Sequence, residues 1–347
     1  MTYMAMNETF LEVSSHSTEA SCSSWFRLIN VTMLSTLFNI LGIVSNIINI
    51  AVFSKQGMKS TVNISLTALS VSDLMNVILT EWACIGSYLL LLNSQDVIIL
   101  PNEINYLTGA FPHVCVTRIT AWITVYMTAE RCLCIALPFK VKRLITQKRT
   151  VLAIATIYLL NILLMVPELL YYKIDWKFSP LFNTTRVGIV VNKSNSQYQG
   201  ISFLLYTLVL IISFILVIIL TLILIFQLKK MSKWRSGSQN TDEQPRRLFL
   251  KDRVAVRTVL IVACVLIITF FPNFVLCWLS FILPGFSING QFSDHYLDFA
   301  SFVALFDSIN ASTSAFVYYN INSTYRKTLQ EMFFLIPKKC VESQSSI

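Results

Sequence analysis

Residues 201–226 read ISFLLYTLVLIISFILVIILTLILIF, without one charged side chain. This run is longer than the roughly 20 residues that cross the hydrocarbon of a bilayer. Lipid offers backbone groups no hydrogen bond, so a crossing segment is a helix or part of a closed barrel, and an unbroken apolar run reads as helix rather than as alternating strand. Outward from this stretch the pattern recurs, giving seven apolar runs: Leu28 to Phe53, Val62 to Leu92, Ile104 to Leu137, Val151 to Tyr172, Ile201 to Leu228, Val254 to Leu283 and Tyr296 to Tyr319. Of the 347 residues 55% are hydrophobic and 13% charged, against roughly 25% charged in an ordinary globular chain. So few charges cannot cover a water-facing surface. The expected fold is an all-α membrane protein: an outer tail (1–27), a bundle of seven transmembrane helices (28–322), an amphipathic juxtamembrane helix (323–336) and a cytoplasmic tail (337–347). No internal repeat or soluble domain is visible. The first seventeen residues hold neither a basic n-region nor an apolar h-region, so helix one is expected to direct insertion.

The basic residues orient the bundle. With the N-terminus outside, 21 of the 27 Lys and Arg fall on inner segments, nine of them between Lys229 and Arg257, whereas the outer segments hold only Arg27, Lys173, Lys177, Arg186 and Lys193. That asymmetry predicts N-out, C-in. The net charge of +9 is then accounted for by topology and anionic membrane lipid, with no nucleic-acid partner required. Of the N-x-S/T signals, Asn7, Asn183 and Asn192 land outside and are the glycosylation candidates, while Asn63, Asn310 and Asn322 fall at an inner end, within a helix and in the inner tail.

Several short motifs follow one another in a specific order. Helix one carries G-I-V-S-N with Gly42 and Asn46; helix two L-T-A-L-S-V-S-D-L with Asp73; helix three ends T-A-E-R-C-L-C-I-A-L-P with Glu130, Arg131 and Pro138. Helix six carries F-F-P with Pro272, and helix seven N-A-S-T-S-A-F-V-Y-Y with Asn310 and Tyr318, followed by Tyr325-Arg326. Together, over about residues 28–335, these resemble the rhodopsin-like (class A) G-protein-coupled receptors, most closely invertebrate peptide-type (neuropeptide) and chemosensory receptors. The resemblance implies a plasma-membrane, multi-pass receptor that activates a heterotrimeric G protein when helix six opens. The rival class, a seven-helix transporter or channel, would show repeats, broken helices or charge rings, and none is visible. An enzyme is not expected, because His16, His113 and His295 share no metal-binding or nucleophile spacing.

Polar groups in lipid must turn inward, so Asn46, Asp73 and Asn310 read as an intramembrane network. The network either glues helices together or, as the resemblance implies, holds water and a sodium ion near Asp73; no other cofactor and no other metal site is expected. Arg131 needs a partner at the inner mouth. Glu130 adjoins it, and Asp252 lies twenty residues before Pro272, about 30 Å along helix six. The resemblance implies an Arg131–Asp252 lock whose breaking frees Arg131 for a Gα subunit; the alternative is that Asp252 is a solvated charge. Pro272 removes a helix hydrogen bond and is expected to kink helix six, with Phe270, Phe271 and Phe274 as either lever or ordinary packing.

The sequence also departs from the family pattern. Phe270 stands at the usual Trp of helix six, Ile157 at that of helix four, Ser213 at the usual Pro of helix five and Ser314-Ala315 at the usual Asn-Pro of helix seven. Tyr106 occupies the place of the cysteine that normally ties helix three to the second outer loop, and no Cys occurs between Cys134 and Cys264, so no disulfide is expected. Cys340 is a lipidation candidate or an idle thiol. A ligand is expected in the outer half of the bundle among Glu81, His113, Arg118, Phe274 and Asp307, with Glu168 nearby. Arg118 either forks onto an acidic ligand or pairs internally with Glu81 or Asp307. His113 stands where amine receptors carry Asp, and no Lys lies between Tyr296 and Tyr319 to hold retinal.

Overall fold

The computed structural model describes residues 26, 28–91, 98–179, 183–191, 201–236, 243–287 and 290–333. Among these the long helices are α1 (Thr36–Gln56), α2 (Thr61–Leu91), α3 (Phe111–Ala136), α4 (Gln147–Leu163), α5 (Ile201–Ser236), α6 (Glu243–Ile282), α7 (Ser293–Ile321) and α8 (Ser323–Phe333). A π-helical stretch, Leu28–Ser35, leads into α1, and another, Tyr106–Ala110, leads into α3. Between α4 and α5 the chain forms a hairpin of β1 (Tyr172–Ser179) and β2 (Thr184–Val191).

Neighbouring helices close a ring: α1 packs on α2 and α7, α7 on α6, α6 on α5, and α3 threads between α2, α4, α5 and α6. This position explains a difference among the spans. Met33–Gln56, Thr61–Ile85, Gln147–Tyr171, Leu204–Lys230 and Val254–Ile282 are each long and apolar enough to cross a membrane by composition alone. The more polar α3 and α7 are shielded by their neighbours, so Thr117, Thr120, Thr124 and Thr128 on α3, and Ser301, Ser308 and Ser312 on α7, are buried. Apolar side chains point the other way, and Leu222, Phe226, Ile268 and Phe281 are all more than 60% exposed. In water that surface would drive association; in a bilayer it meets its own solvent.

Local chemistry fixes the joints. α1 ends at Gly57, whose φ of 89° lies in the left-handed region and whose N–H donates to the carbonyls of Phe53 and Ser54. α1 and α2 approach closely at Gly42, where a Cβ would stand 2.8 Å from Cγ1 of Val77. The expected fourth span, Val151 to Tyr172, is not one helix. It starts at Gln147, turns at Leu164–Met165 and resumes as a short helix, Val166–Tyr171, with Pro167 in its first turn. Proline has no N–H for the carbonyl four residues earlier, so a break here costs little. α6 begins at Glu243, well before its apolar run, because Glu, Arg and Lys favour helix beyond the membrane as well as hydrocarbon does within it. It also continues as helix through Pro272.

The sequence reading did not anticipate the hairpin. Its strands pair antiparallel from Tyr172↔Val191 to Ser179↔Thr184, and Asn183 takes the turn at φ 51°, a conformation Asn tolerates better than most residues. A third segment joins it: Leu100 N–H donates to Val187 O at 2.8 Å, and Val187 N–H to Ile98 O at 2.9 Å. Glu103 locks the junction, accepting from Lys177 Nζ at 2.7 Å and from the Ile189 amide at 2.7 Å. Tyr106, in the place expected to lack a covalent tie, donates its hydroxyl to Glu168 at 2.6 Å.

Candidate functional site

In the outer half, α3, α5, α6 and α7 bring together ionisable groups that no packing argument requires. Arg118 is 2% exposed; its guanidinium carbon lies 5.3 Å from the centre of the Tyr206 ring, and its Nε has no acceptor. Neither carboxylate expected to compete for it does so. Glu81 accepts from Thr36 at 3.3 Å and Asn39 at 3.0 Å, serving the α1–α2 contact. Asp307 instead faces His113, with Oδ2 to Nε2 at 3.6 Å, too long for a hydrogen bond. Asp307 Oδ1 and His113 Nε2 are both buried without a hydrogen-bond partner. Tyr206 donates to Asn273 Oδ1 at 3.3 Å. Phe274 stacks on Phe214 at 4.9 Å and meets Trp278 edge-on at 6.1 Å.

The expected aromatic trio divides. Phe270, 2% exposed, and Phe274, one turn further, face the interior, whereas Phe271, about 100° around the helix, points outward with 57% exposed. Phe270 packs with Ala121, Val125, Phe214 and Leu266.

In mid-membrane, Asn46, Asp73 and Asn310 are not bonded to one another. Asn46 donates to Ala311 O at 2.8 Å, and its Oδ1 accepts from Ser314 at 3.3 Å. Asp73 accepts from Thr120 at 3.2 Å, and Asn310 accepts from Thr269 at 3.1 Å. Each bonds instead to another neighbouring helix: Asn46 to α7, Asp73 to α3 and Asn310 to α6. Asp73, Thr120, Asn310 and Ser314 do line one cavity of about 10 Å³, close to the smallest volume that holds a water molecule.

At the inner end, Arg131 is 5% exposed and donates to Glu130 at 2.6 Å, while Thr61 donates to the same carboxylate oxygen at 2.5 Å. The backbone of Asp252 lies in α6, but its side chain falls outside the described residues, as do Asn7, Asn192 and Cys340. Asn183 is exposed at the hairpin turn. Tyr318 is fully buried, its hydroxyl has no partner, and its ring meets Phe53 at 5.2 Å and Tyr325 at 5.7 Å. Tyr325 reaches from α8 into α1 and donates to Asn49 at 2.6 Å.

Sequence reasoning missed Tyr206, Asn273, Asn49, Thr61 and Glu103. Asn49 carried a signal, since it follows Asn46 by three residues and so shares its helix face. Tyr206 and Asn273 lie within separate apolar runs, and nothing in the sequence says that they meet.

No curated protein is similar enough to serve as a relative. Residues 33–335 match the family model described as serpentine type 7TM GPCR chemoreceptor Srw. That span takes in all of α1 to α8, together with the groups around Arg118, Asp73 and Arg131, and the chain belongs to the Srw family of seven-transmembrane, G-protein-coupled chemoreceptors.

Proposed function

We propose that this chemoreceptor works at the plasma membrane, takes a ligand bearing a carboxylate into the outer half of its bundle, and signals by outward movement of α6. The carrying observation is Arg118: a permanently charged group, 2% exposed, with an unsatisfied Nε and no carboxylate partner among the described residues. Such a charge is expensive unless something pairs with it, and guanidinium matches carboxylate as a two-pronged donor. Tyr206 and Phe274 supply apolar surface for the remainder of the ligand. A small environmental acid and a peptide with a free C-terminus offer the same group.

At the inner end, Arg131 exchanges its Glu130 contact for the G protein, and an Arg131–Asp252 contact restrains α6 in the resting state. Pro272, which cannot donate to the carbonyl of Ile268, is the weak point about which α6 bends. Tyr318, with its free hydroxyl, takes a new partner as the helices separate. A sodium ion would be held by Asp73 with the Thr120 hydroxyl, where it would supply a counter-charge that favours the resting packing.

The test is ligand-stimulated guanine-nucleotide exchange against a panel of small carboxylic acids, their methyl esters, and peptides with free or amidated C-termini. Acids should activate and esters should not. Arg118→Lys should weaken the response to acids, and Arg118→Ala should abolish it at matched surface expression. Equal responses to an acid and its ester, or an unchanged acid response in Arg118→Ala, would rule the reading out.

A further inference from the structure

A second cavity lies away from these polar groups. It is a groove of about 530 Å³ on the lipid-facing side of the bundle, between α3 and α4, and it is almost entirely apolar. Trp122, Val125, Tyr126 and Ala129 line it from α3, and Leu152, Ala153, Thr156 and Ile157 from α4. Both sets follow helical spacing, so each is one continuous stripe of its helix. The space exists because Ala129 and Ala153 are short between the larger walls of Trp122, Tyr126 and Ile157. Below, Tyr126 donates to Thr150 at 2.9 Å and pins the two helices together. The volume falls within the range of about 300–1,000 Å³ typical of small-molecule sites.

One end of the groove is charged. Arg149, in the first turn of α4, is the single charged residue in its lining. Its Nη1 donates to the carbonyls of Arg143 at 3.0 Å and Leu144 at 3.1 Å, which fixes the guanidinium at the groove mouth. The other two nitrogens have no acceptor among the described residues. Lys148 and Arg143 are exposed beside it. The positive end of the α4 dipole points the same way. In the N-outside orientation this mouth opens at the cytoplasmic leaflet, where anionic headgroups gather. The occupant therefore needs an apolar chain and a negative head.

We propose that this groove is a binding site for an anionic phospholipid of the inner leaflet, with an acyl chain along the α3–α4 stripes and its phosphate on Arg149. A sterol would fill the groove but leave the guanidinium unanswered, and a zwitterionic lipid would answer it only in part. The site is separate from the Arg118 pocket, so it survives whatever becomes of the acidic-ligand reading.

Trp122 reports on occupancy directly. The purified full-length receptor would be placed in nanodiscs of phosphatidylcholine containing small fractions of phosphatidylglycerol or phosphatidylcholine with brominated acyl chains. Quenching at Trp122 is read as the difference between wild type and Trp122→Phe. Brominated phosphatidylglycerol should half-quench Trp122 at a mole fraction about fivefold lower than brominated phosphatidylcholine, the preference one basic side chain confers at the membrane surface. Arg149→Gln should erase the preference and Arg149→Lys keep most of it. Ala153→Phe, which fills the groove, should leave both lipids poor quenchers. Thermal midpoints of the same samples give a second readout: added phosphatidylglycerol should raise that of wild type but not that of Ala153→Phe, and chain-free glycerophosphoglycerol should raise neither. Equal quenching by the two lipids in wild type, a preference that persists in Arg149→Gln, or stabilisation by the chain-free headgroup would each overturn the proposal.

Discussion

Arg131 illustrates how much a single buried charge constrains. It is almost wholly covered, and its guanidinium is answered by Glu130, whose carboxylate also accepts from Thr61 on α2. In the proposed switch these contacts would hold the resting state across three helices with Asp252 and across two without it. Glu130→Gln keeps the shape but removes the charge that holds Arg131. If the lost contact contributes about 1.4 kcal/mol, the ratio of active to inactive receptor rises about tenfold. Ligand-free nucleotide exchange in membranes should rise correspondingly in Glu130→Gln, and also in Asp252→Ala if the lock is real, while Arg131→Ala should be silent. Basal exchange identical to wild type in Glu130→Gln would show that this carboxylate does not restrain the switch.

Among the elements, the hairpin β1–β2 is braced by one carboxylate. Glu103 binds Lys177 and the Ile189 amide at once, and with the Ile98–Leu100 segment it fastens the hairpin above α3 by noncovalent contacts. Glu103→Gln keeps one acceptor but gives up the charge. With Glu103 about one-third exposed, solvent screening should bring the loss below the roughly 1.5–3 kcal/mol of charge-assisted bonds, to about 1 kcal/mol. Hydrogen exchange at the Ile189 amide should quicken about fivefold, with smaller changes in the helical amides of α3. Lys177→Met, which leaves the amide bond intact, should have the lesser effect. If Glu103→Gln leaves exchange across β2 unchanged, the strand pairing alone holds the hairpin.

At the scale of the whole molecule the orientation is open to direct test. The N-outside arrangement puts Asn7, Asn183 and Asn192 in the lumen during synthesis, and Asn183 sits on an exposed turn. Expression in eukaryotic cells should yield a receptor whose gel mobility increases on glycosidase treatment. Replacing the three by Gln should abolish that shift, with Asn183→Gln alone removing part of it. Sugar attached at Asn322, at the start of α8, would require the inverted bundle and would also displace Arg131 from the cytoplasm.

The membrane class, the seven spans and the resemblance to a receptor family were legible in the sequence, because lipid forces long apolar helices and basic residues mark the inner side. Each of these features is carried along the chain within one helix or loop. Pairing between helices is not. Nothing local to Asp307 chooses His113 over Arg118, and nothing local to Glu81 chooses Thr36 and Asn39; those choices depend on how helices rotate about their axes when the bundle packs. The same rotation turns Phe271 to lipid while Phe270 faces inward, and it leaves Ala129 opposite Ala153 with a groove between them. The hairpin was hidden for a related reason: an isolated two-stranded ribbon is marginal, and this one is braced by Glu103 and Leu100, residues from far earlier in the chain. Burial in lipid made the helices inevitable from composition, whereas the partners of the charges inside them were decided only by packing.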